Sequence, residues 1–177
     1  MHLLDVAQNA LKAGAKLVEI TVAADTAADT LHIQIKDDGC GMSPQQLQAV
    51  TDPFFTTRTT RKVGLGVPLF KMAAELSGGG LTIDSQQGRG TAVDAAFGLT
   101  HIDRMPLGDL KGTLLLLVRT NPQVDFLYLE RLDGACMELD TRQLREILGE
   151  VPLDQPDVLD WIGVYYDENS PFIHTNY

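Results

Sequence analysis

Hydrophobic and polar positions along the chain follow two periods in turn. Residues 2–13 carry Leu4, Ala7 and Leu11 at helical spacing, and Gly14 is well placed to end that helix. Residues 17–22 and 31–35 alternate apolar with polar side chains, the pattern of strands that bury one face. Ser43-Pro44-Gln45-Gln46 is a helix-start signal. Ser43 is the cap, Pro44 takes the first helical position, and Gln46 completes a capping box for a short helix ending near Val50. Residues 51–63 show no period and are dense in hydroxyls and cations. Helical spacing returns over residues 65–76, where Pro68 falls in the first turn and its missing N–H is not needed. Ser77-Gly78-Gly79-Gly80 stops this helix. Residues 81–84 and 91–97 read as a strand pair joined across Gln87-Gly88-Arg89-Gly90.

A boundary over residues 97–106 separates this α/β unit, residues 1–99, from a small C-terminal subdomain, residues 100–177. The tail predicts a hairpin, 126–132 with 135–139, turning at Asp133-Gly134. Two helices follow: 141–148, capped by Asp140 and stopped by Gly149, then one from Pro156 to about residue 166. Seven acidic residues and no Lys or Arg lie between Glu146 and Tyr177, the composition of a solvated acidic face. Trp161, Tyr165 and Tyr166 in that stretch read as the core of the subdomain, with a partner-docking surface as the alternative.

Charge narrows the partners. With 14 Lys+Arg against 24 Asp+Glu the net charge is -10, which opposes general nucleic-acid binding. The longest apolar run, Leu114-Leu115-Leu116-Leu117-Val118, is far shorter than the ~20 residues of a membrane span. No secretory signal pattern is visible at Met1, so a soluble, cytoplasmic protein is expected. Cys40 and Cys136 have neither CxxC spacing nor a nearby His, and read as free thiols of a reducing compartment with no zinc site.

Four elements carry candidate chemistry. Asp5, Asn9 and Lys12 share one face of the first helix. An amide oxygen such as that of Asn9 suits Mg²⁺, whose other positions go to water and phosphate. A carboxylate one turn away, Asp5, suits activation of a water or hydroxyl. Asp37-Asp38-Gly39-Cys40-Gly41 ends a strand. The Asp37 carboxylate can only accept, as from an exocyclic amine like that of adenine, and Gly39 and Gly41 would let backbone approach a flat ring. Val63-Gly64-Leu65-Gly66-Val67 opens a helix, where free N–H groups and the positive helix end favour phosphate. Arg58, Arg61 and Lys62, set among Thr56, Thr57, Thr59 and Thr60, form a basic cluster just upstream. The fourth element, Gly88-Arg89-Gly90-Thr91, offers the Thr91 hydroxyl as a second contact on the base. Neither a GxxxxGK[ST] phosphate loop nor a Rossmann fingerprint is present, since no strand precedes Gly64 and Leu69 replaces the third glycine. Singly, each element also fits a plain structural role: a solvated helix face, a turn, an exposed basic loop.

In order and spacing the four elements resemble the N box and glycine boxes of the GHKL superfamily, the gyrase, chaperone, histidine-kinase and MutL ATPases. Asp-Val-Ala-Gln-Asn-Ala-Leu-Lys-Ala-Gly-Ala, residues 5–15, is similar to the MutL-like N box. Asp-Pro-Phe-Phe-Thr-Thr-Arg, residues 52–58, and Gly-Leu-Gly-Val, residues 64–67, are closer to histidine kinases. The resemblance spans residues 2–98 and implies an α+β, two-layer α/β sandwich of Bergerat type, with a mixed, mostly antiparallel sheet and helices on one face. It implies ATP and Mg²⁺ as ligands. Asn9 becomes the metal ligand, Asp37 the adenine acceptor and Thr91 its helper; Arg58 and Lys62 with Gly64 and Gly66 become the lid and phosphate contacts, and Lys12, Thr57 and Leu65 further cofactor-binding residues.

Three departures from the family pattern matter. Asp5 stands where MutL-like ATPases and anti-sigma kinases carry a glutamate general base, and it is one methylene shorter. Met1 lies four residues before it, so the dimerising arm of gyrase-like and MutL-like proteins is expected to be absent. His2, His32, His101 and His174 sit outside any phosphoacceptor motif, so a complete histidine kinase is not expected. The tail, with His101-Ile102-Asp103-Arg104 and Pro106-Leu107-Gly108-Asp109, resembles stand-alone bacterial ATP-binding proteins often encoded beside iron-only hydrogenase subunits. That resemblance implies a protein partner, either a redox or hydrogenase complex or a regulator. The leading expectation is an ATP·Mg²⁺ regulatory module with slow hydrolysis coupled to lid motion. An anti-sigma-type protein kinase and a non-hydrolysing nucleotide sensor are the alternatives.

Overall fold

The computed structural model describes residues 3–51, 66–173 and 175. Its elements in chain order are α1 (Leu3–Lys12), β1 (Leu17–Asp25), β2 (Thr30–Asp37), α2 (Pro44–Thr51), α3 (Gly66–Leu76), β3 (Gly80–Gln86) and β4 (Gly90–Gly98), then α4 (Leu110–Thr120), β5 (Asp125–Leu132), β6 (Ala135–Asp140), α5 (Thr141–Leu148) and α6 (Pro156–Asn169). The six strands form one sheet in the order β3-β4-β2-β1-β5-β6. β1 and β5 pair in parallel, and every other neighbouring pair is antiparallel. The fold is α+β with a mixed open sheet, as the sequence predicts.

Strand alternation explains the two layers. Val18, Ile20 and Val22 of β1, Leu31, Ile33 and Ile35 of β2, and Val93, Ala95 and Phe97 of β4 are buried. In the register these positions lie opposite one another, so they make one continuous apolar face. α1 packs on β1 and β2, α3 on β3 and β4, α4 on β5, and α6 on β6. Phe70 of α3 meets Phe97 of β4 with ring centroids 5.5 Å apart. The intervening strand positions carry His32, Gln34 and Lys36, all exposed, tied by Gln34 to Asp94 at 3.0 Å and Lys36 to Glu19 at 3.3 Å.

The local signals behave as their chemistry requires. Ser43 N–H donates to Gln46 Oε1 at 2.9 Å while Gln46 N–H donates to Ser43 Oγ at 3.3 Å, the reciprocal capping box. Asp140 accepts from Arg142 N–H, and Gly149 ends α5 with a positive φ of 62°. Asp133 turns the β5–β6 hairpin at φ 52°, a conformation that Asp tolerates better than most side chains. The helix α4 was not predicted. Its centre, Leu114 to Val118, is apolar on all sides and shows no period, and Gly112 and Thr113 lower its propensity. Asp109 starts it by accepting from Gly112 N–H at 2.7 Å.

The boundary expected at residue 99 falls between β4 and α4, and the sheet continues across it through β5. Glu130 on β5 faces the helix layer with no exposed surface. Its carboxylate accepts from the Tyr128 and Tyr166 hydroxyls at 2.6 Å each and from Ser170 Oγ at 2.5 Å, joining β5 to both ends of the last turn of α6. Burial beside this carboxylate raises both phenols, Tyr128 most strongly, so they stay protonated donors. Among the described residues, no helix is long and apolar enough to cross a membrane.

Removing the acceptor leaves three buried hydroxyls without their partner. Glu130→Ala is therefore expected to cost about 3–5 kcal/mol in denaturant unfolding. Glu130→Gln, which keeps an oxygen acceptor, should cost less than half of that.

Candidate nucleotide site

A cavity of about 270 Å³ opens between the helix-facing side of the sheet and helices α1, α2 and α3. Its walls are mostly apolar: Val6, Ala10 and Ala13 from the α1 side, Ile35, Ile83 and Val93 from the sheet, and Met42, Val50 and Val67 around the mouth. Three side chains add polarity, namely Asn9, Asp37 and Thr91. Apolar walls with a few fixed polar groups are the usual make-up of a small-molecule site.

The sheet register sorts these side chains into two rows. Ile35, Val93 and Ile83 stand side by side across β2, β4 and β3, and two residues along the strands Asp37, Thr91 and Ser85 do the same. Side chains repeat every second residue, so both rows face the helices. The first row is a flat apolar floor and the second a polar edge. Ser85 Oγ lies 2.9 Å from Thr91 Oγ1 and also accepts from Met42 N–H at 2.9 Å. Sequence reasoning missed Ser85, although its position two residues beyond Ile83 on the same strand face was the available signal.

Asp37 accepts from Gly39 N–H at 2.9 Å. Partial burial raises its carboxyl above the usual range, an effect reduced by hydrogen bonds from the Gly39 and Thr91 backbone and reinforced slightly by Asp38. Asp38 points elsewhere: Oδ1 accepts from Lys16 N–H at 2.7 Å and Leu17 N–H at 2.9 Å, fixing the entry to β1. Of two adjacent carboxylates, one therefore faces the cavity and one holds the backbone.

The glycines at the cavity sit where neighbouring atoms leave no space for a Cβ. Gly41 borders the cavity at φ 62°, but a Cβ there would lie 2.0 Å from Gln86 O. Gly90, at φ 97°, would place a Cβ 1.9 Å from Asp37 O. Gly39 is buried and does not line the cavity; a Cβ would meet Asp37 Oδ1 at 2.8 Å and Ala13 Cβ at 2.9 Å. These positions keep the 37–41 segment in contact with the β3–β4 turn, where Gly88 N–H also donates to Cys40 O at 2.8 Å. They shape the site by letting backbone meet backbone.

The first helix divides between two surfaces. Asn9 lines the cavity, whereas Lys12 lines a groove of about 360 Å³ on the other side of α1, with Leu4, Leu11 and α4 residues Leu116 and Leu117. Asp5 lies one turn before Asn9, exposed, where α1 touches the start of α3: a Cβ on the buried Gly66 would be 2.9 Å from Asp5 Cβ. Thr57, Arg58, Lys62, Gly64 and Leu65 lie outside the described residues. Among the described residues no group of three or more His, Cys, Asp or Glu is placed to hold a metal ion.

Residues 2–101 match the family model of the histidine kinase-, DNA gyrase B- and HSP90-like ATPases, and the chain belongs to that family. It is 34% identical over 94 residues to histidine protein kinase DivJ of Caulobacter vibrioides, a match covering 51% of this chain and 16% of that protein. It is 35% identical over 89 residues to the sensor histidine kinase ZraS of Salmonella typhi, covering 50% of this chain and 19% of the other. The chain thus spans less than a fifth of these curated relatives. A crystal structure of the N-terminal domain of a DNA repair protein aligns with 78% of this chain and 51% of its own, at 14% identity and a TM-score of 0.49.

The raised Asp37 carboxyl has a definite sign. The folded state binds this proton more tightly than the unfolded chain, so the group adds stability as pH falls through its folded pKa and loses it as pH rises. Carbon-13 carboxyl titration should place Asp37 above an ordinary aspartate, and Asp37→Asn should remove this gain, so that stability falls more steeply with acid than in the wild type. Gly41→Ala is expected to destabilise by about 1–3 kcal/mol from its φ alone, and by more through the Gln86 clash.

Proposed function

We propose that the chain is an ATP·Mg²⁺-binding regulatory module that hydrolyses ATP slowly and couples lid motion to a protein partner. The observation that carries this reading is one cavity in which the carboxylate of Asp37, beside the Thr91 hydroxyl, closes the polar edge of an apolar floor. An adenine lying on the Ile35, Val93 and Ile83 row would bring its amine to Asp37, an acceptor at neutral pH. From that end α1 runs past Ala10, Asn9 and Val6 to Asp5, and a rise of 1.5 Å per residue puts Asp5 about 6 Å beyond Asn9. The phosphates would then extend toward the start of α3, whose free N–H groups favour them.

Asn9 would hold the ion, whose charge offsets that of the phosphates. Asp5, at the α1–α3 contact, would accept the proton of an attacking water. The lid component of this reading rests on the sequence of residues 52–65. The free thiols of Cys40 and Cys136 support a reducing, cytoplasmic setting, and the resemblance of the tail supports a redox complex or a regulator as partner. A second reading, transfer of the phosphoryl group to a partner protein, is favoured by the names of the relatives, DivJ and ZraS both being histidine kinases.

Single-turnover incubation with γ-labelled ATP and Mg²⁺ separates these readings. Free labelled phosphate that falls about a hundredfold in Asp5→Ala supports hydrolysis with Asp5 as base. Label on a protein in cell extract, lost in the same variant, supports the kinase, and intact bound ATP a sensor. Asp37→Asn should weaken ATP binding by about 10–100-fold in calorimetry, and unchanged affinity would refute the placement of the base.

A further inference from the structure

Ser85 does not line the cavity, but its hydroxyl governs a side chain that does. The β3–β4 register sets Ser85 opposite Thr91, and Thr91 is part of the cavity wall. Three groups surround Ser85 Oγ: Met42 N–H donates to it at 2.9 Å, Gly90 O lies 3.1 Å away and Thr91 Oγ1 lies 2.9 Å away. A hydroxyl has one hydrogen and two lone pairs, so only one division of roles makes all three contacts bonds. Gly90 O is a carbonyl and can only accept, which assigns it the Ser85 hydrogen. Met42 N–H takes one lone pair. The other is left for Thr91, whose hydroxyl must then donate. The opposite arrangement, with Ser85 donating to Thr91, leaves the Gly90 contact without a hydrogen and loses one bond at a half-buried place.

The consequence reaches the cavity. Thr91 holds its backbone N–H on the Asp37 carboxylate and its hydroxyl hydrogen on Ser85, so neither is offered to a bound ring. Asp37, opposite Thr91 in the β2–β4 register, is a carboxylate and accepts only. The polar edge therefore presents acceptors alone at these two adjacent positions. A ring carrying an amine offers hydrogens to such an edge, whereas a carbonyl oxygen at the same place sets acceptor against acceptor. We infer that Ser85 is a positioning residue for base selection: it turns the Thr91 hydrogen away from the cavity and so makes the edge choose an exocyclic amine over a carbonyl oxygen. The inference deepens the ATP reading above and rests on it. Ser85 also ties the backbone at Met42, next to the Ser43 cap, to β3. That bond shapes the wall for any ring, so its loss weakens amino and keto bases alike. The contact with Thr91 alone sets their ratio.

The probes are ATP and inosine triphosphate, which carry an amine and an oxygen at the same purine carbon, titrated with Mg²⁺ into the full chain by calorimetry. The wild type should bind ATP about a hundredfold more tightly than the inosine nucleotide. In Ser85→Ala the Thr91 hydroxyl is released to donate into the cavity, and the ratio of the two affinities should narrow by about tenfold. Ser85→Thr keeps a hydroxyl at the same place and should hold the wild-type ratio. Thr91→Val leaves Ser85 untouched and should narrow the ratio on its own. Adding Ser85→Ala to Thr91→Val should then leave the ratio where the valine alone puts it, because the two side chains act through one bond. Affinities that fall alike in Ser85→Ala, an unmoved ratio in Thr91→Val, or a further narrowing in the double variant overturns the inference and leaves Ser85 a purely structural part. A wild type that binds both nucleotides equally overturns it too. The two readings fail differently: a wild type that binds no ATP removes the nucleotide reading and this inference with it, whereas ATP binding with an unmoved ratio removes the inference alone.

Discussion

The candidate site depends on where α1 lies, and two missing side chains set that position. At one end, Gly66 lets the start of α3 come against Asp5; at the other, Gly39 lets the segment after β2 come against Ala13. Any Cβ at either glycine would stand 2.9 Å from a Cβ on the α1 side, closer than packed carbons approach. Cys40 N–H donates to Ala13 O at 3.0 Å, and Asp38 accepts from Lys16 and Leu17 N–H, so the exit of the helix is tied as well. Between these clamps Val6, Ala7 and Ala10 turn inward, and the small alanines let α1 sit close to β1 and β2. Shifting α1 outward would widen the cavity and part Asn9 from Asp37 together, because one helix supplies both a wall and a polar group.

On the proposed reading, recognition of a nucleotide would be divided between two parts of the cavity. The row of Ile35, Val93 and Ile83 offers area, which attracts any flat apolar ring. On the proposed reading Asp37 would supply discrimination, because a carboxylate that can only accept rejects a ring presenting an acceptor at the same place. Ser85 Oγ is placed to donate to Gly90 O at 3.1 Å, and with that bond made the Thr91 hydroxyl donates to Ser85 and keeps its oxygen as an acceptor toward the cavity. The partial burial that raises the Asp37 carboxyl also strengthens any hydrogen bond it accepts, since water competes less there. A fully buried Asp37 would tend toward the neutral form and lose its purely accepting character.

How much of this was legible in sequence follows from the range of each interaction. Elements fixed by neighbours along the chain were readable: the Ser43–Gln46 box, the Asp140 cap, the Asp133-Gly134 turn and the alternation in β1 and β2. The order of the four elements that carry the family resemblance was readable for the same reason, each being a local cluster. The α4 helix was not, because an all-apolar centre carries no period. The parallel pairing of Leu17 with Asp125 was not either, since residues more than a hundred positions apart leave no local trace of register. Ser85 and the division of α1 between two surfaces needed the register and the helix contacts before they could be seen. The aromatic tail residues divide as a periodic pattern alone cannot: Tyr166 inside, Trp161 outside.

The parallel pairing has a consequence for the site itself. Without β5, β1 would be an edge strand with its outer backbone groups unpaired. Instead Asp125 N–H donates to Lys16 O at 2.8 Å, Asp133 N–H to Ala24 O at 3.0 Å, and the Asp133 carboxylate accepts from Thr26 N–H at 2.8 Å, so β5 is fastened to β1 at both ends. The connection that brings β5 there carries α4, and α4 packs on the outer side of α1. Leu117 of α4 is buried, and with Leu116 it flanks the groove where Lys12 and Leu11 lie. The helix that carries Asn9 is therefore backed by residues that follow β4, and buried side chains from both parts join one hydrophobic cluster. Leu116 also borders the groove between α4 and α6. One helix thus has the cavity wall on one side, through α1, and the groove against α6 on the other.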